Sequence, residues 1–343
     1  MTDCHMKLMA VWHSAFQSKA PFLSELSRER FLSTDTSATM RVLHPRGKPA
    51  DAEHYARYGY VVVRGVVPRP QIKELRALYA LRIVPSKYPF FRQSTNAYEP
   101  NKMNGHGYVR QSFLDIHDYA RYPEFSRAAR NIFCSPRLIG ALRRVSGFET
   151  FALMQTMLFD LNTETPAHQD WYYLDSVPGG KLIAAWIALE DIDERAGRFY
   201  VMPGSQETDF GAKTPGRTHS EWLAVIRDYV ADRRDEISAP ALNAGDVLFW
   251  NSKTVHGSLP TQDDAFSRKS LTAHYLPNGF AFGNLFSEKS NLPYKDHDGV
   301  RFYRNQPDYS YWNRLKFAVK TRAYEYPAIR ESLRKVRKVV GSR

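Results

Sequence analysis

The sequence predicts a mainly β fold, a barrel or sandwich with helices on its flank. Three observations predict it. From Thr150 onwards the apolar pattern takes a period of two, in short runs separated by Gly, Pro or Asn turns. Before Thr150 helical periods dominate, so the helices gather on the N-terminal side of the strands. Aromatic residues are plentiful, with 20 Tyr, 20 Phe and 6 Trp in 343 residues, which suits a β-rich core or a pocketed enzyme better than a disordered regulator.

Taken in order, residues 1–52 read as a weakly patterned N-terminal extension with a helix around Met6–Gln17. A clearer unit spans 53–280. It opens with a short helix from Glu53 and a β-branched strand over Gly59–Arg64, punctuated by Pro68 and Pro70. Gln71–Ile83 reads as an amphipathic helix with Ile72, Leu75, Leu78 and Leu81 on one face, and Glu124–Val145 as a helix or helix pair. Strands are expected over Phe151–Leu161, His168–Tyr173, Leu182–Leu189, Arg198–Met202, Val247–Trp250 and Arg268–Pro277. Residues 205–240 interrupt them with a loop and a helix over Ser220–Asp232. No internal repeat or low-complexity segment is apparent.

A third segment, 281–343, forms a C-terminal extension. Its last part, Tyr311 to Arg343, has ten Lys or Arg against two Glu, and so carries eight of the formal +12 charges. Ala328–Val340 reads as a basic amphipathic helix with Ile329, Leu333, Val336 and Val340 on one face. Two readings stand: a helix docked on the domain with its charges in solvent, or peripheral contact with an anionic membrane. No nucleic-acid motif accompanies the charge, so nucleic acid is not an expected partner. The two cysteines, Cys4 and Cys134, lack paired spacing and are expected as reduced thiols. With no leader-like apolar run near Met1 and no stretch of about 18 apolar residues, the expected location is cytoplasmic, at most peripheral to a membrane.

Chemistry gathers in the strand region. Thr165-Pro166-Ala167-His168-Gln169-Asp170-Trp171 contains His-x-Asp, and alternate residues of a strand share a face. By itself that spacing is weak, because 11 histidines make a chance His-x-Asp ordinary. Downstream, Gly245-Asp246-Val247-Leu248-Phe249-Trp250 leads to His256-Gly257-Ser258, and a strand there carries His256 back to the same place. Two histidines and one carboxylate on one face, with open positions, are the facial triad of non-haem Fe(II) oxygenases.

The next strand candidate alternates Arg268, Ser270, Thr272 and His274 on one face with Lys269, Leu271, Ala273 and Tyr275 on the other. A buried face bearing Arg is costly unless a carboxylate pairs with it. The distal carboxylate of 2-oxoglutarate would do so, gripped by the planar guanidinium with Ser270 adding a hydroxyl. Trp186 stands between Ala184 and Ala188 on its strand face, where small neighbours leave space, although a plain core tryptophan explains the pattern as well.

Four stretches resemble the phytanoyl-CoA dioxygenase family of double-stranded β-helix oxygenases: YGYVVVRGVVP over 58–68, HQDWYY from His168, AAWIALEDIDERAGRFYVMPGSQ from Ala184 and GDVLFWNSKTVHGS from Gly245. The likeness covers roughly 53–280. It implies a double-stranded β-helix (jelly-roll, cupin-like) barrel, with iron ligands at His168, Asp170 and His256, the 2-oxoglutarate arginine at Arg268 and a cosubstrate-contacting tryptophan at Trp186. It also implies cosubstrate-bordering positions at Met154, Gln155 and Arg110. The implied reaction uses Fe(II), 2-oxoglutarate and O2 to hydroxylate an unactivated carbon, with release of succinate and CO2. Two departures bear on substrate: Gln206 stands where the family usually has His after Pro-Gly-Ser, and Arg198 replaces a small residue or Pro. Halogenating relatives lack the carboxylate ligand, so Asp170 favours hydroxylation.

The substrate class stays open among small molecules, lipids and glycans. Trp171, Tyr172, Tyr173 and Asp175 follow the metal motif and are candidates to line the pocket, as are Arg195 and Arg198; packing in the wall is the alternative for each. Two other functions stand beside the oxygenase: a metal-binding scaffold without catalysis, and a basic membrane-associated interaction protein on the same fold.

Overall fold

The computed structural model describes residues 48–95 and 97–305, together with 311, 312 and 315. The helices expected over Met6–Gln17 and Ala328–Val340 lie outside the described residues. The chain enters with α1 (Lys48–Tyr58) and turns through Gly59 into β1 (Tyr60–Val63). Pro68 caps α2 (Arg69–Leu78), which runs into one π turn at Tyr79–Ile83. Next come a small hairpin, β2 (Phe90–Arg92) and β3 (Ala97–Glu99), and then β4 (Phe113–Leu114). The helix pair follows as α3 (Pro123–Phe133) and α4 (Pro136–Ser146). The break between them has a local cause: the Ser135 hydroxyl accepts from Leu138 N, and Pro136 begins the new helix.

The strands that build the body are β5 (Phe151–Phe159), β6 (Asp175–Val177), β7 (Ile183–Ala188) and β8 (Phe199–Val201), then, after α5 (His219–Asp232), β9 (Val247–Asn251), β10 (His256–Ser258) and β11 (Ser270–Pro277). Short strands β12 (Ala281–Gly283), β13 (Glu288–Lys289), β14 (Lys295–His297) and β15 (Val300–Phe302) follow. The main sheet has the order β1-β9-β7-β11-β5-β15-β14, with β4 also on β5. Its pairs are antiparallel except β15 with β5. Smaller sheets pair β8 with β10 and place β12 between β6 and β13. The protein is mainly β with flanking helices, a layered jelly-roll arrangement.

Alternation divides the main sheet into two faces, with one irregularity where β5 and β11 shift register between His274 and Tyr275. Leu153, Leu158, Ile183, Ile187, Phe249, Leu271 and Tyr275 share one buried core with Ile72 and Leu75 of α2, Ile132 of α3 and Leu142 of α4. The opposite face carries Ala184, Trp186, Ala188, Leu248 and Trp250, packed against Val201 and Phe199 of β8. That second, aromatic-rich interior is where the site lies. Burying apolar area at about 25 cal/mol per Å2 on both faces is what lets a sheet this hydrophobic exist in water.

Several expectations are corrected. In α2 the buried positions are Ile72, Leu75, Tyr79 and Ile83, whereas Leu81 is 67% exposed. Nine residues after Ile72 is two and a half helical turns, which puts Leu81 on the opposite side. His168–Tyr173 is not a strand: His168 makes a single bridge to His256, and Asp170–Tyr172 forms a 3-10 turn. Arg268 stands two residues before β11, although its backbone N–H still bonds Asp160 O. Beyond residue 280, β12 pairs with β6 and β15 with β5.

Candidate metal centre

His168 and His256 face each other across a reciprocal bridge, in which each backbone N–H donates to the other's carbonyl at 3.0 Å. Directly opposed residues project to the same face, and the two imidazole centroids stand 4.3 Å apart. Each ring's Nδ1–H donates to a nearby backbone carbonyl, His168 to Pro166 O at 2.8 Å and His256 to Thr254 O at 2.9 Å. A carbonyl can only accept, so the proton sits on Nδ1 and the Nε2 lone pair is left for a ligand. Both Nε2 atoms point at Asp170 Oδ1, at 3.7 and 3.6 Å. The three ligand atoms lie within 4.8 Å of one another.

The surroundings keep these groups in their ligating forms. Burial pushes the His256 imidazole down to about 4, so it is neutral at physiological pH. Burial opposes ionisation of Asp170, but His256 and His274 outweigh it and hold the carboxyl well below its usual range. Two imidazole nitrogens and one carboxylate oxygen on one face suit a divalent first-row cation, so these residues fit the metal that the motif implies. The other Asp170 oxygen, Oδ2, accepts from Trp250 Nε1 at 2.9 Å, and His274 Nε2 stands 3.4 Å from it.

Arg268 is 2% exposed, and among the described residues no carboxylate pairs with it. Its Nη1 donates to Gly197 O at 3.0 Å and Ser258 Oγ at 2.9 Å, while Nε has no partner. Burial draws the guanidinium down to about 9, so it remains a cation at neutral pH. Ser258 is two residues beyond His256 on β10 and on the same face, which sets the Arg268 contact roughly 7 Å along the strand from the metal ligand. A five-carbon dicarboxylate has about that reach. Trp186 and Phe159 each lie 5.9 Å from the guanidinium, and Phe199 joins Trp186 to His256 through ring contacts of 5.9 and 5.6 Å.

The other residues singled out in the sequence divide. Ser270 is fully buried, with its hydroxyl turned to the Arg268 carbonyl at 3.2 Å. Gln155 is buried opposite His274 at a register shift, and Met154 beside it accepts a long contact from Tyr294 Oη at 3.9 Å. Arg110 is instead half exposed and pairs with Asp264 at 3.6 Å. Asp175 offers no free carboxylate: it accepts from Ser176 N, Gly180 N, Leu182 N and Ser252 Oγ, and so organises a turn. Arg198 reaches Glu194 at 4.0 Å, and Arg195 lies on Phe266 and pairs with Asp193. Gln206 ties to Arg57 O, a structural bond between the turn and α1.

Trp171 donates to Gln169 Oε1 beneath the Lys253 ammonium, and Tyr172 stacks on Trp222 at 4.3 Å. Tyr173 meets the His168 ring edge-on at 5.8 Å and bonds His219 Nε2 at 2.6 Å. His219, Trp222 and Phe286 complete this aromatic group beside the metal ligand. Sequence reading missed them, as it missed Ser258, Phe199 and Trp250. Only Ser258 left a signal, the alternation His256-Gly257-Ser258.

The family profile for phytanoyl-CoA dioxygenase matches residues 55–270. The chain is 22% identical to peroxisomal phytanoyl-CoA dioxygenase of Rattus norvegicus over 240 residues, covering 64% of this chain and 66% of the relative. It is 29% identical to the Bos taurus enzyme over 119 residues, covering 32% and 33%. The chain thus spans two thirds or less of the curated relatives it matches. Among solved structures, the non-heme alpha ketoglutarate dependent carbocyclase SnoK superposes with a TM-score of 0.51 at 18% identity, covering 69% of this chain and 87% of that one. The epimerase SnoN, solved with Fe3+, alpha ketoglutarate and nogalamycin RO, gives 0.51 at 20%, covering 76% and 96%. At such identities these likenesses establish the shared fold. A profile that matches from α1 to the start of β11, across every ligand position described above, shows that the chain belongs to the phytanoyl-CoA dioxygenase family.

Proposed function

We propose that this chain is an Fe(II)/2-oxoglutarate-dependent dioxygenase that hydroxylates an unactivated carbon of a small molecule, lipid or glycan. The observation that carries the reading is Arg268, a buried cation without a carboxylate partner among the described residues, bonded to Ser258 two residues from His256. A buried charge of this kind is costly in the free protein and becomes intelligible once a dicarboxylate completes it. Family membership supports the same reaction.

His168, Asp170 and His256 would hold Fe(II). Arg268 and Ser258 would grip the distal carboxylate of 2-oxoglutarate, with Trp186 and Phe199 as walls and Met154 and Gln155 bordering it. Bound iron and cosubstrate supply the activation of O2: one oxygen atom enters succinate as CO2 leaves, and the other becomes the hydroxyl inserted into the C–H bond. The chain's own work is to orient and to exclude water. The His168 and His256 tautomers are preset by Pro166 O and Thr254 O, so no proton has to move for the ligands to bind. Trp171, Tyr172 and Tyr173 follow the ligands directly and would face substrate together with His219 and Phe286.

Anaerobic addition of Fe(II) and 2-oxoglutarate should give a weak visible charge-transfer band, and a metabolite screen that follows succinate should then find the substrate class. No band, together with unchanged metal affinity in His168→Ala, overturns the assignment.

A further inference from the structure

We infer that Trp250 is a positioning residue for the metal centre: its indole N–H pins one oxygen of Asp170, so that the carboxylate offers a metal the other oxygen only. This rests on the metal reading proposed above. A carboxylate can bind a cation through one oxygen or two, and the choice decides how many coordination positions stay open. In this chain the two oxygens have different surroundings. Oδ1 faces the Nε2 atoms of His168 and His256. Oδ2 accepts the Trp250 N–H at 2.9 Å in a buried contact, with His274 Nε2 at 3.4 Å as a second neighbour from β11.

Both ends of that bond are fixed. Trp250 is 1% exposed on β9, in register with Ala184 of β7 on one side and Tyr60 of β1 on the other. Its ring is further wedged by Phe199 at 5.0 Å and His256 at 4.9 Å. The small Ala184 leaves the space that the indole fills. Asp170 starts a 3-10 turn whose carbonyl accepts from Tyr173 N and Leu174 N, so its backbone is held as well. An indole donates and never accepts, so the contact engages a lone pair of Oδ2 and fixes the carboxylate in the orientation that turns Oδ1 to the two imidazoles. With Oδ2 engaged, His168, Asp170 and His256 would each offer a metal one atom, which would leave room for a two-pronged cosubstrate and one more ligand. Freed, the carboxylate would be able to swing and take one of them.

The test uses Co(II), a probe indifferent to oxygen, on the full chain. Trp250→Phe removes the donor and some volume. Replacing Trp250 by 3-benzothienylalanine, with sulfur where the indole has N–H, removes the donor and keeps the shape. Leu248→Ala, in the same interior cluster but with a side chain that has no donor for Asp170, is the packing control. Expected for both Trp250 replacements is a loss of Co(II) affinity of about tenfold with a changed d–d spectrum, while Leu248→Ala keeps the wild-type spectrum. Wild-type affinity and spectrum in the benzothienyl protein overturn the inference, as does an equal change in Leu248→Ala. A wild-type chain that fails to bind Co(II), or binds it no better than His168→Ala, overturns the metal reading itself.

Discussion

At the scale of the residue, Arg268 presents a conflict between stability and function. Among the described residues its guanidinium is buried with neutral acceptors alone, Gly197 O and Ser258 Oγ, and its Nε has none. Replacing such a charge by an apolar side chain of similar length removes a desolvation cost worth about 1–4 kcal/mol. Arg268→Met should therefore melt at a higher temperature than wild type when both are free of cosubstrate. The same variant should lose the stabilisation that 2-oxoglutarate gives wild type and bind it at least about 30-fold more weakly, since a buried charge pair is worth roughly 2–5 kcal/mol. Thermal melts with and without 2-oxoglutarate, and calorimetric titration, check both signs. Arg268 stood out in the sequence as a candidate anchor because an Arg beside an apolar strand run is conspicuous. Its actual partner, Ser258, did not, because β10 and the approach to β11 meet only in three dimensions.

At the scale of the element, the turn at Gly197 and the cap of α5 carry testable weight. Gly197 sits at φ 77°, and a Cβ there would come within 2.6 Å of Leu259 O. Its carbonyl is also an acceptor for Arg268. Gly197→Ala should cost more than about 1 kcal/mol from the forbidden backbone region alone, and should weaken 2-oxoglutarate binding by displacing that acceptor; denaturant melts and titration report the two effects separately. Thr218 forms a capping box with Glu221, accepting from its N–H at 3.3 Å and donating backbone N–H to its carboxylate at 2.7 Å. Thr218→Ala should cost about 1 kcal/mol, read by urea denaturation, and should loosen the helix that carries His219 and Trp222. The α-helices among the described residues and strands β1, β5 and β7 to β11 were legible from the sequence, whereas the short strands β2, β3, β4, β6 and β12 to β15 were not. Nor were element ends and phases: His168–Asp170 became a bridge and a turn, because the backbone there pairs with β10 at His256 alone and then turns.

At the scale of the whole molecule, buried neutral histidines set the acid limit. His117 is fully buried, bonds Thr156 Oγ1 at 2.7 Å and Tyr303 O at 3.0 Å, and so ties β5 to the segment after β15. Burial pushes it down to about 3, and pushes His219 and His256 down to about 4. In the unfolded chain these rings take up a proton near pH 6.5. As pH falls from about 6.5 towards 4, the unfolded state therefore binds protons that the folded state refuses, and stability is lost across that window. Each pH unit separating folded from unfolded pKa is worth about 1.4 kcal/mol, so the metal-free protein should show a steep fall in melting temperature between pH 6.5 and 4.5. His117→Asn should melt lower at pH 7 yet show a shallower decline, and melts across that range check it.

By itself the sequence determined the fold class and the helix-then-strand order, and it singled out His168, Asp170, His256 and Arg268 as candidates. These follow from periodicity and residue chemistry, which are local properties of the chain. The tertiary structure alone decided what surrounds them. Trp250 on Asp170, Phe199 between Trp186 and His256, and His219 behind Tyr173 join residues 46 to 80 positions apart, or on strands whose pairing no local pattern encodes. It also reassigned Asp175 to a turn and Arg110 to a half-exposed ion pair. The physical reason is that a buried polar side chain is defined by its partner, and in a folded sheet the partner comes from whichever strand lies alongside.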